Sequence, residues 1–259
     1  MIARNSVADV NVISLIGERG REVREFLEND LGEEGMKRSV VIVSTSDQAA
    51  QLRINAALVG TAIAEYFRDQ GKSVILMMDS ITRFARAIRE IGLAAGEPPA
   101  RAGYTPSVFA TLPKLLERSG NSEHGSITAF YTILVAGDDM NEPIADETKS
   151  ILDGHIVLSN ELAQQYHYPA VDVLASISRI INHIISREHL DLIGKIREVL
   201  ANYKKNELLI RIGEYKPGSD KSADFAIKYV DKVNKFLQQK VDEKITFEDT
   251  LQKLKSLFS

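Results

Sequence analysis

The chain contains no cysteine among its 259 residues. Disulfide bonds, zinc sites built from thiolates and cysteine nucleophiles are therefore excluded, and an intracellular compartment fits best. An excess of charge is also missing, because 32 basic residues stand against 36 acidic ones and leave a net charge of -4. A nucleic-acid-binding protein would normally carry a strongly basic face, so this class of protein receives no support.

Long apolar runs are absent as well. No window of the sequence approaches the roughly 18 apolar residues that a membrane-spanning helix needs. The first residues are polar and mixed, whereas a signal peptide would begin with an apolar segment. The length allows either one large domain or two smaller ones.

The first part of the chain alternates between strand-like and helix-like segments. Short apolar runs end at a glycine or at a polar residue, and helical spacing resumes after each of them. This order predicts an α/β fold with a mostly parallel sheet. The predicted strands are 10–16, 39–44 and 73–79, and the predicted helices are 22–31, 48–70 and 80–93, with a turn at 32–35. The apolar face of the second helix is predicted to contain Leu52, Ala56, Val59, Ile63 and Phe67.

The rest of the chain changes character twice. Three prolines and two glycines in 96–106 predict a loop, and from about residue 181 long helical patterns replace the strands. We therefore predict a sheet domain at 1–184 and a small helical domain at 185–259. Further predicted elements are a helix at 107–118, a turn at 119–125, strands at 126–134, 153–158 and 171–177, and helices at 188–203, 222–239 and 246–258.

Charged residues follow two of the predicted strands directly. Glu18 and Arg19 come after the first strand, and Asp79 ends the third. Ligands of open α/β sheets bind at the carboxyl ends of the strands. Two acids there can supply a metal ligand and a general base for water, which is what hydrolysis of a phosphoanhydride requires. Taken alone, an aspartate after a buried strand is more often a helix cap, and Ser80 is an equal candidate for that cap.

A short sequence resembles the end of a phosphate-binding loop but is better interpreted as a turn. Gly71, Lys72 and Ser73 have the right order, yet the glycine that the motif requires five residues earlier is Tyr66. The segment also follows a helix and precedes a strand, which reverses the order that lets a helix amino end bind phosphate. No other stretch of the sequence matches a phosphate loop.

Eight motifs are spread over essentially the whole chain. They are LIGERGREV (15–23), MDSITRF (78–84), GEPPA (96–100), GYTPSVF (103–109), LPKLLER (112–118), GSITAFY (125–131), ILDGHIVL (151–158) and ASISR (175–179). Together they resemble the ATPases of flagellar export and type III secretion, a family similar to the catalytic subunit of rotary ATP synthases. The resemblance implies part of a RecA-like P-loop NTPase core, followed by the small helical domain.

The resemblance also implies roles for individual residues. By position, Glu18 resembles the general base, Arg19 a residue that steers the γ-phosphate, and Asp79 the acid on the magnesium side. Arg179 resembles an arginine finger given to a neighbouring subunit, which is worth roughly 10³ to 10⁵ in rate in such enzymes. Tyr168 resembles the aromatic residue that stacks on adenine.

Two of these roles have a simpler alternative. Without the resemblance, Arg179 would be a surface arginine paired with a carboxylate, and Tyr168 an amphipathic residue packed at a domain boundary. The second adenine contact of rotary relatives falls near Val241, which is not aromatic.

For the whole molecule, the resemblance implies an ATP- and Mg²⁺-dependent hydrolase of a protein export apparatus. Its implied partners are further copies in a hexameric ring, stator and central-stalk proteins, export substrates and chaperones, with no nucleic acid. Its implied place is the cytoplasm, peripheral at the inner membrane. Two alternatives remain: a proton- or sodium-linked rotary ATPase subunit, and a binding module without catalysis that docks stalk and stator partners.

In the family, the phosphate loop precedes the segment that resembles residues 1–4. The chain is therefore expected to be a carboxy-terminal fragment that begins inside the phosphate-loop helix. Because its 259 residues contain no phosphate loop, we expect the purified polypeptide alone to bind ATP weakly and to hydrolyse almost none. Steady-state phosphate release measures this directly, and a clear ATPase rate would contradict the prediction.

Overall fold

The computed structural model describes residues 2–258. The chain divides into two units, one that runs through Leu152 and one that begins at Asp153. Met1, the first residue of the segment predicted to lie in a phosphate-loop helix, is outside the described residues. Ile2–Asn5 form a short helix, α1.

A five-stranded sheet forms the centre of the first unit, with the strand order β2-β1-β3-β5-β4. Four strands run parallel, and the two-residue strand β4 pairs antiparallel with β5. The sheet confirms the predicted fold class. Its strands are β1 (Val10–Glu18), β2 (Ser39–Thr45), β3 (Ser73–Asp79), β4 (Gly120–Asn121) and β5 (Ser126–Tyr131).

Strand β1 is buried on both faces. Ile13 and Leu15 contribute to one apolar cluster, whereas Val12 and Ile16 belong to two others. A strand covered on both faces is a near-continuous apolar run, as is typical of parallel sheets between layers of helices. This is why the strand could be recognised in the sequence.

Helices flank the sheet of the first unit. They are α2 (Gly20–Glu25), α3 (Gly32–Met36), α4 (Ala50–Asp69), α5 (Ile81–Ala94), α6 (Pro106–Leu116) and α7 (Pro143–Ile151). A π-helical turn, Phe26–Leu31, continues α2. The turn predicted at 32–35 is wrong, because Glu33 and Glu34 lie in the first turn of α3, where acidic side chains stabilise a helix. Helix α7 was not predicted.

Helix α4 packs on the sheet through small residues. The apolar face predicted from the sequence is therefore partly wrong, since Leu52 is 49% exposed and Val59 is 47% exposed. A Cβ atom at Gly60 would lie 2.9 Å from the Ser14 hydroxyl on β1, so the helix sits too close to the strand for large side chains. The buried residues of α4 are Ala50, Ala56, Ala57, Gly60, Thr61 and Ala64.

The second unit combines a two-stranded antiparallel sheet with helices. Its elements are β6 (Gly154–Leu158), α8 (Asn160–Gln164), β7 (Val171–Ser178), α9 (Ile181–Ile184), α10 (Arg187–Arg211), α11 (Lys221–Leu237) and α12 (Phe247–Ser256). The three long helices confirm the predicted helical part of the chain. Side chains of Ser186, Asp220 and Thr246 accept hydrogen bonds from backbone N–H groups at their starts. Within residues 2–258, no helix is both long and apolar enough to cross a membrane.

Two glycines in helices give opposite expectations for substitution. Gly60→Ala forces a methyl group against the buried Ser14, so we expect it to destabilise the chain by about 1–3 kcal/mol. A Cβ atom at Gly194 in α10 meets no atom within 4 Å, so Gly194→Ala should stabilise by about 0.5–1 kcal/mol. Urea unfolding measures the free energy of unfolding of both variants. Equal changes in this free energy for Gly60→Ala and Gly194→Ala would show that α4 does not approach β1 this closely.

Candidate active site

The pairing of β1 with β3 brings the two predicted acids to one edge of the sheet. Leu15 of β1 is the register partner of Asp79, the last residue of β3. The register with β2 shifts between Ile16 and Glu18, and Gly17 between them has a φ of 73°. This glycine bulge places Glu18 just beyond the regular ladder, next to the end of β3.

The start of α5 forms a second wall of this edge. The Ser80 side chain accepts a hydrogen bond from the Arg83 N–H and caps the helix, so Ser80 and not Asp79 is the cap of the two candidates. The Asp79–Ser80 peptide bond is cis. Thr82 Oγ1 accepts a hydrogen bond of 2.8 Å from the Leu134 N–H, which ties α5 to the chain that leaves β5.

Arg83 influences both acids through its charge, although no motif in the sequence gave it a role. Its side-chain stem lies against Gly17, where an added Cβ atom would be 3.0 Å from Arg83 Cβ. The positive charge of Arg83 acts on both Glu18 and Asp79. The only signal in the sequence was its place within one helical turn of Asp79. We call Glu18, Asp79 and Arg83 the strand-end site.

Both carboxyl groups of the strand-end site have raised pKa values. Burial and then the negative charge of Asp79 raise the pKa of Glu18, and Arg83 opposes the rise. Burial also raises the pKa of Asp79, against a hydrogen bond from the Thr132 side chain and the charge of Arg83. Carboxyl groups in such surroundings take up protons or bind cations more readily than solvated ones do.

Arg19 does not join the strand-end site in this structure. Its side chain is 69% exposed and forms an ion pair of 2.9 Å with Glu22 on the next helical turn. An exposed pair of this kind contributes little to stability, so Arg19 is held only loosely. Glu22 also raises the pKa of Glu18, so it is a further neighbour of the site, and no sequence pattern pointed to it.

The strand-end site fits a magnesium nucleotide rather than an all-protein metal centre. Within residues 2–258, no group of three or more acidic, histidine or cysteine side chains could hold a metal ion. Mg²⁺ commonly takes only one or two carboxylates and completes its shell with water and substrate phosphates, and a single carboxylate such as that of Asp79 is compatible with this coordination. Arg83 Nε is buried and lacks a hydrogen-bond partner among the described residues, which suits a polar or anionic ligand.

Tyr168 lies in the second unit and is half exposed. Its ring meets that of Tyr166 edge to face, with 5.6 Å between the centroids. The Gln239 N–H donates a hydrogen bond of 3.0 Å to the Tyr168 carbonyl, so the segment that contains Val241 runs beside this tyrosine. The aromatic side chain beside Tyr168 is that of Tyr166, for which the sequence predicted no role.

Arg179 also lies in the second unit, directly after β7. The residue is exposed, and its N–H donates a hydrogen bond of 2.7 Å to the carbonyl of Asp153. The predicted site residues are therefore distributed over two units of the chain, with the two acids in the first and Arg179 and Tyr168 in the second.

Neutralising Asp79 should stabilise the protein. Because its pKa is raised, the charged form costs stability at neutral pH, and Asp79→Asn should raise Tm by a few degrees at pH 7. The gain should vanish as the pH falls below the ordinary aspartate value of 3.8, where the carboxyl group is protonated in both folded and unfolded chains. Thermal unfolding at both pH values measures this, with the exposed Asp30→Asn as the control. A loss of stability at pH 7 would contradict the burial argument.

Comparison with known proteins identifies two family models along the chain. The nucleotide-binding domain of the ATP synthase alpha/beta family matches residues 1–178. The C-terminal domain of the type III secretion ATPase EscN matches residues 185–256.

Individual relatives agree with these matches. The flagellum-specific ATP synthase of Bacillus subtilis (strain 168) is 60% identical over 99% of this chain and 59% of its own length. A type 3 secretion system ATPase of Xanthomonas euvesicatoria is 57% identical over 99% of this chain and 58% of its own length. The chain thus spans less than two thirds of the curated relatives that it matches.

A solved structure of assembled EscN from enteropathogenic E. coli, in complex with its central stalk EscO, has a TM-score of 0.92. That chain is 49% identical, and the match covers 100% of this chain and 62% of the other. The resemblance to flagellar export and type III secretion ATPases is confirmed, and the chain belongs to the ATP synthase alpha/beta family.

Proposed function

We propose that the chain is the catalytic part of an ATPase that drives flagellar or type III protein export. In this proposal residues 1–184 form the ATPase domain and 185–259 the helical domain. The protein works in the cytoplasm, peripheral at the inner membrane, and uses ATP hydrolysis to unfold or deliver export substrates. The names of the relatives support both flagellar and virulence-type systems.

The observation that carries the proposal is the strand-end site. Two carboxyl groups with raised pKa values lie at the carboxyl ends of neighbouring parallel strands. An arginine packed against Gly17 lowers the pKa values of both. This arrangement provides one carboxyl group as a proton acceptor and a second, separate carboxyl group as a metal ligand at the same edge of the sheet. It is the arrangement that activation of water beside a phosphate group requires.

The proposed reaction is attack of water, in line with the leaving group, on the γ-phosphate of ATP. Glu18 accepts the proton of the attacking water, and its raised pKa brings it closer to neutral pH, where a general base is most effective. Asp79 is the carboxylate that would hold Mg²⁺, which neutralises charge on the phosphate oxygens. Arg83 supplies positive charge at this edge. Arg19 is the residue proposed to steer the γ-phosphate, and for this it would have to leave its exposed ion pair with Glu22.

Arg179 and Tyr168 are the further residues proposed to act on ATP, and both belong to the second unit. The exposure of Arg179 suits a finger that reaches the site of a neighbouring copy, and Tyr168 offers half of its surface for stacking on adenine. A finger supplied in trans requires head-to-tail contacts that close into a ring.

The related EscN has been solved as an assembly with its stalk EscO. By this relation we propose a hexameric ring with a central-stalk partner. Stator proteins, export substrates and chaperones are the further proposed partners.

Catalysis by Glu18 is testable in a protein that has a phosphate loop. The chain would be extended with such a segment from the Bacillus subtilis relative; we call this the extended protein. We expect Mg²⁺-dependent ATPase activity that Glu18→Gln lowers by about 10²- to 10⁴-fold, measured as steady-state phosphate release. Glu25→Gln, at an exposed position on α2, should leave the rate unchanged.

The same assay separates the alternatives. A binding module without catalysis would gain no activity from the extension. If the extended protein is active and Glu18→Gln retains the full rate, the assignment of the base is wrong. In an active extended protein, Arg179→Lys should lower kcat, and restored activity after mixing with Glu18→Gln subunits would show that the finger acts in trans.

A further inference from the structure

The ladder of β7 with β6 is interrupted before Arg179 and resumes at Ile177 and Ser178, which pair with His155 and Gly154. Val157 of β6 is the register partner of Asp172, and His155 is the partner of Ile177. One residue on β6 therefore faces four residues on β7, and these four residues, 173–176, form a bulge. We call them the β7 bulge. A bulge of this size re-aims the chain that follows it, and that chain carries Arg179.

Side chains within the sheet hold one side of the β7 bulge. Asp172 Oδ1 accepts hydrogen bonds of 2.9 Å from the N–H groups of Leu174 and Ala175. The Ser176 hydroxyl donates a hydrogen bond of 2.6 Å to the Asp172 carbonyl and accepts one of 2.9 Å from the Val157 N–H. The N–H groups of the bulge and its neighbouring strand are thus largely satisfied from within.

Arg197 of α10 binds the carbonyl side of the β7 bulge. Its Nη1 donates to the carbonyls of Val173 at 2.5 Å and Ser176 at 3.4 Å, and its Nη2 donates to the carbonyl of Leu174 at 3.0 Å. Hydrogen bonds from a charged guanidinium are stronger than those between neutral groups. One planar side chain therefore fixes three of the four carbonyls of the bulge.

The helix that carries Arg197 is anchored in the helical core. Ile196 is 5% exposed and Val199 is fully buried, and both belong to the cluster that packs α10 against α11 and α12. Arg197 is thus presented by an element that cannot shift without disturbing this core. The β7 bulge takes its position from α10 as well as from β6.

We propose that Arg197 is a positioning residue for Arg179, which follows the β7 bulge by three residues. Arg197 sets the course of the chain from the bulge to Arg179, whose N–H is then fixed to the Asp153 carbonyl. The helical part of the chain thereby controls where the finger points. This inference rests on the proposed role of Arg179, and it assigns to α10 a function beyond packing.

Substitutions at Arg197 separate positioning from general stability. Arg197→Gln keeps much of the length but loses the charge, and Arg197→Lys keeps a charge as a single point that cannot reach three carbonyls. Arg211→Gln is the matched control, because Arg211 lies on the same helix, is 75% exposed and has only a 4.0 Å pair with Glu207.

The kinetic test uses the extended protein as an assembled ring. A misplaced finger should lower kcat by about 10- to 100-fold in Arg197→Gln, while KM for ATP changes by less than about twofold because the finger acts in the transition state. In a background of Arg179→Lys, the same substitution should have almost no further effect on kcat. Additive losses in this double-mutant cycle would overturn the proposal.

The outcomes distinguish this inference from the proposed function. If Arg179→Lys leaves kcat unchanged in an active protein, Arg179 is not a finger and the proposed function loses that part. If Arg179→Lys lowers kcat but Arg197→Gln does not, the finger stands and the positioning role of Arg197 is wrong.

A second measurement uses the 259-residue chain itself and needs no activity. Hydrogen exchange at the N–H groups of Leu174, Ala175 and Arg179 should become at least about tenfold faster in Arg197→Gln, since these groups open when the bulge loosens. In Arg197→Gln, hydrogen exchange within β1 should stay unchanged. In Arg211→Gln, hydrogen exchange at the β7 bulge should also stay unchanged. If Arg197→Gln does not fold, hydrogen exchange is measured in Arg197→Lys instead. Unchanged exchange at the β7 bulge in a folded variant would overturn the proposal.

Discussion

The parallel pairing of β1 with β3 is the constraint on which the candidate site depends. The register that sets Leu15 opposite Asp79 is fixed by apolar side chains buried on both faces of β1. A slip of one residue would turn each of them to the opposite face and would carry Glu18 away from Asp79. The same burial that stabilises the sheet therefore holds the two acids together.

Holding the acids together has an electrostatic cost. Their raised pKa values mean that the folded protein keeps two carboxylates in surroundings that disfavour their charge. Arg83 offsets part of this cost, since its charge lowers both pKa values. Active sites often retain such destabilising arrangements because the chemistry depends on them.

The strands and the long helices were predictable from the sequence, but several contacts between them were not. Apolar runs that end in Glu18 and Asp79 identify both acids, since strand burial leaves a local pattern. The buried face of α4 was only partly predicted, because the close approach at Gly60 selects small side chains that carry no strong apolar signal.

Contacts between segments that are distant in the sequence leave even less of a signal in the sequence pattern. In the sequence, Arg83 and Arg197 cannot be told from ordinary charged residues on a helix surface. Only the tertiary structure places Arg83 beside Gly17 and Arg197 on the β7 bulge. Sequence patterns of period 2 and 3.6 indicate which residues are buried, but not which partner a partly buried arginine contacts. The assignment of Arg179 and Tyr168 came from family resemblance rather than from local pattern.

The contact between Gly17 and Arg83 has an evolutionary consequence. The backbone at position 17 requires a left-handed conformation, and the space beside it is filled by the stem of the arginine. Neither position can change alone, because a side chain at 17 would displace the guanidinium from both acids. Loss of the arginine would in turn remove the positive charge that lowers the pKa values of both acids. In related sequences the two positions should therefore be retained or lost together, which makes them a compact marker for members that have kept the chemistry.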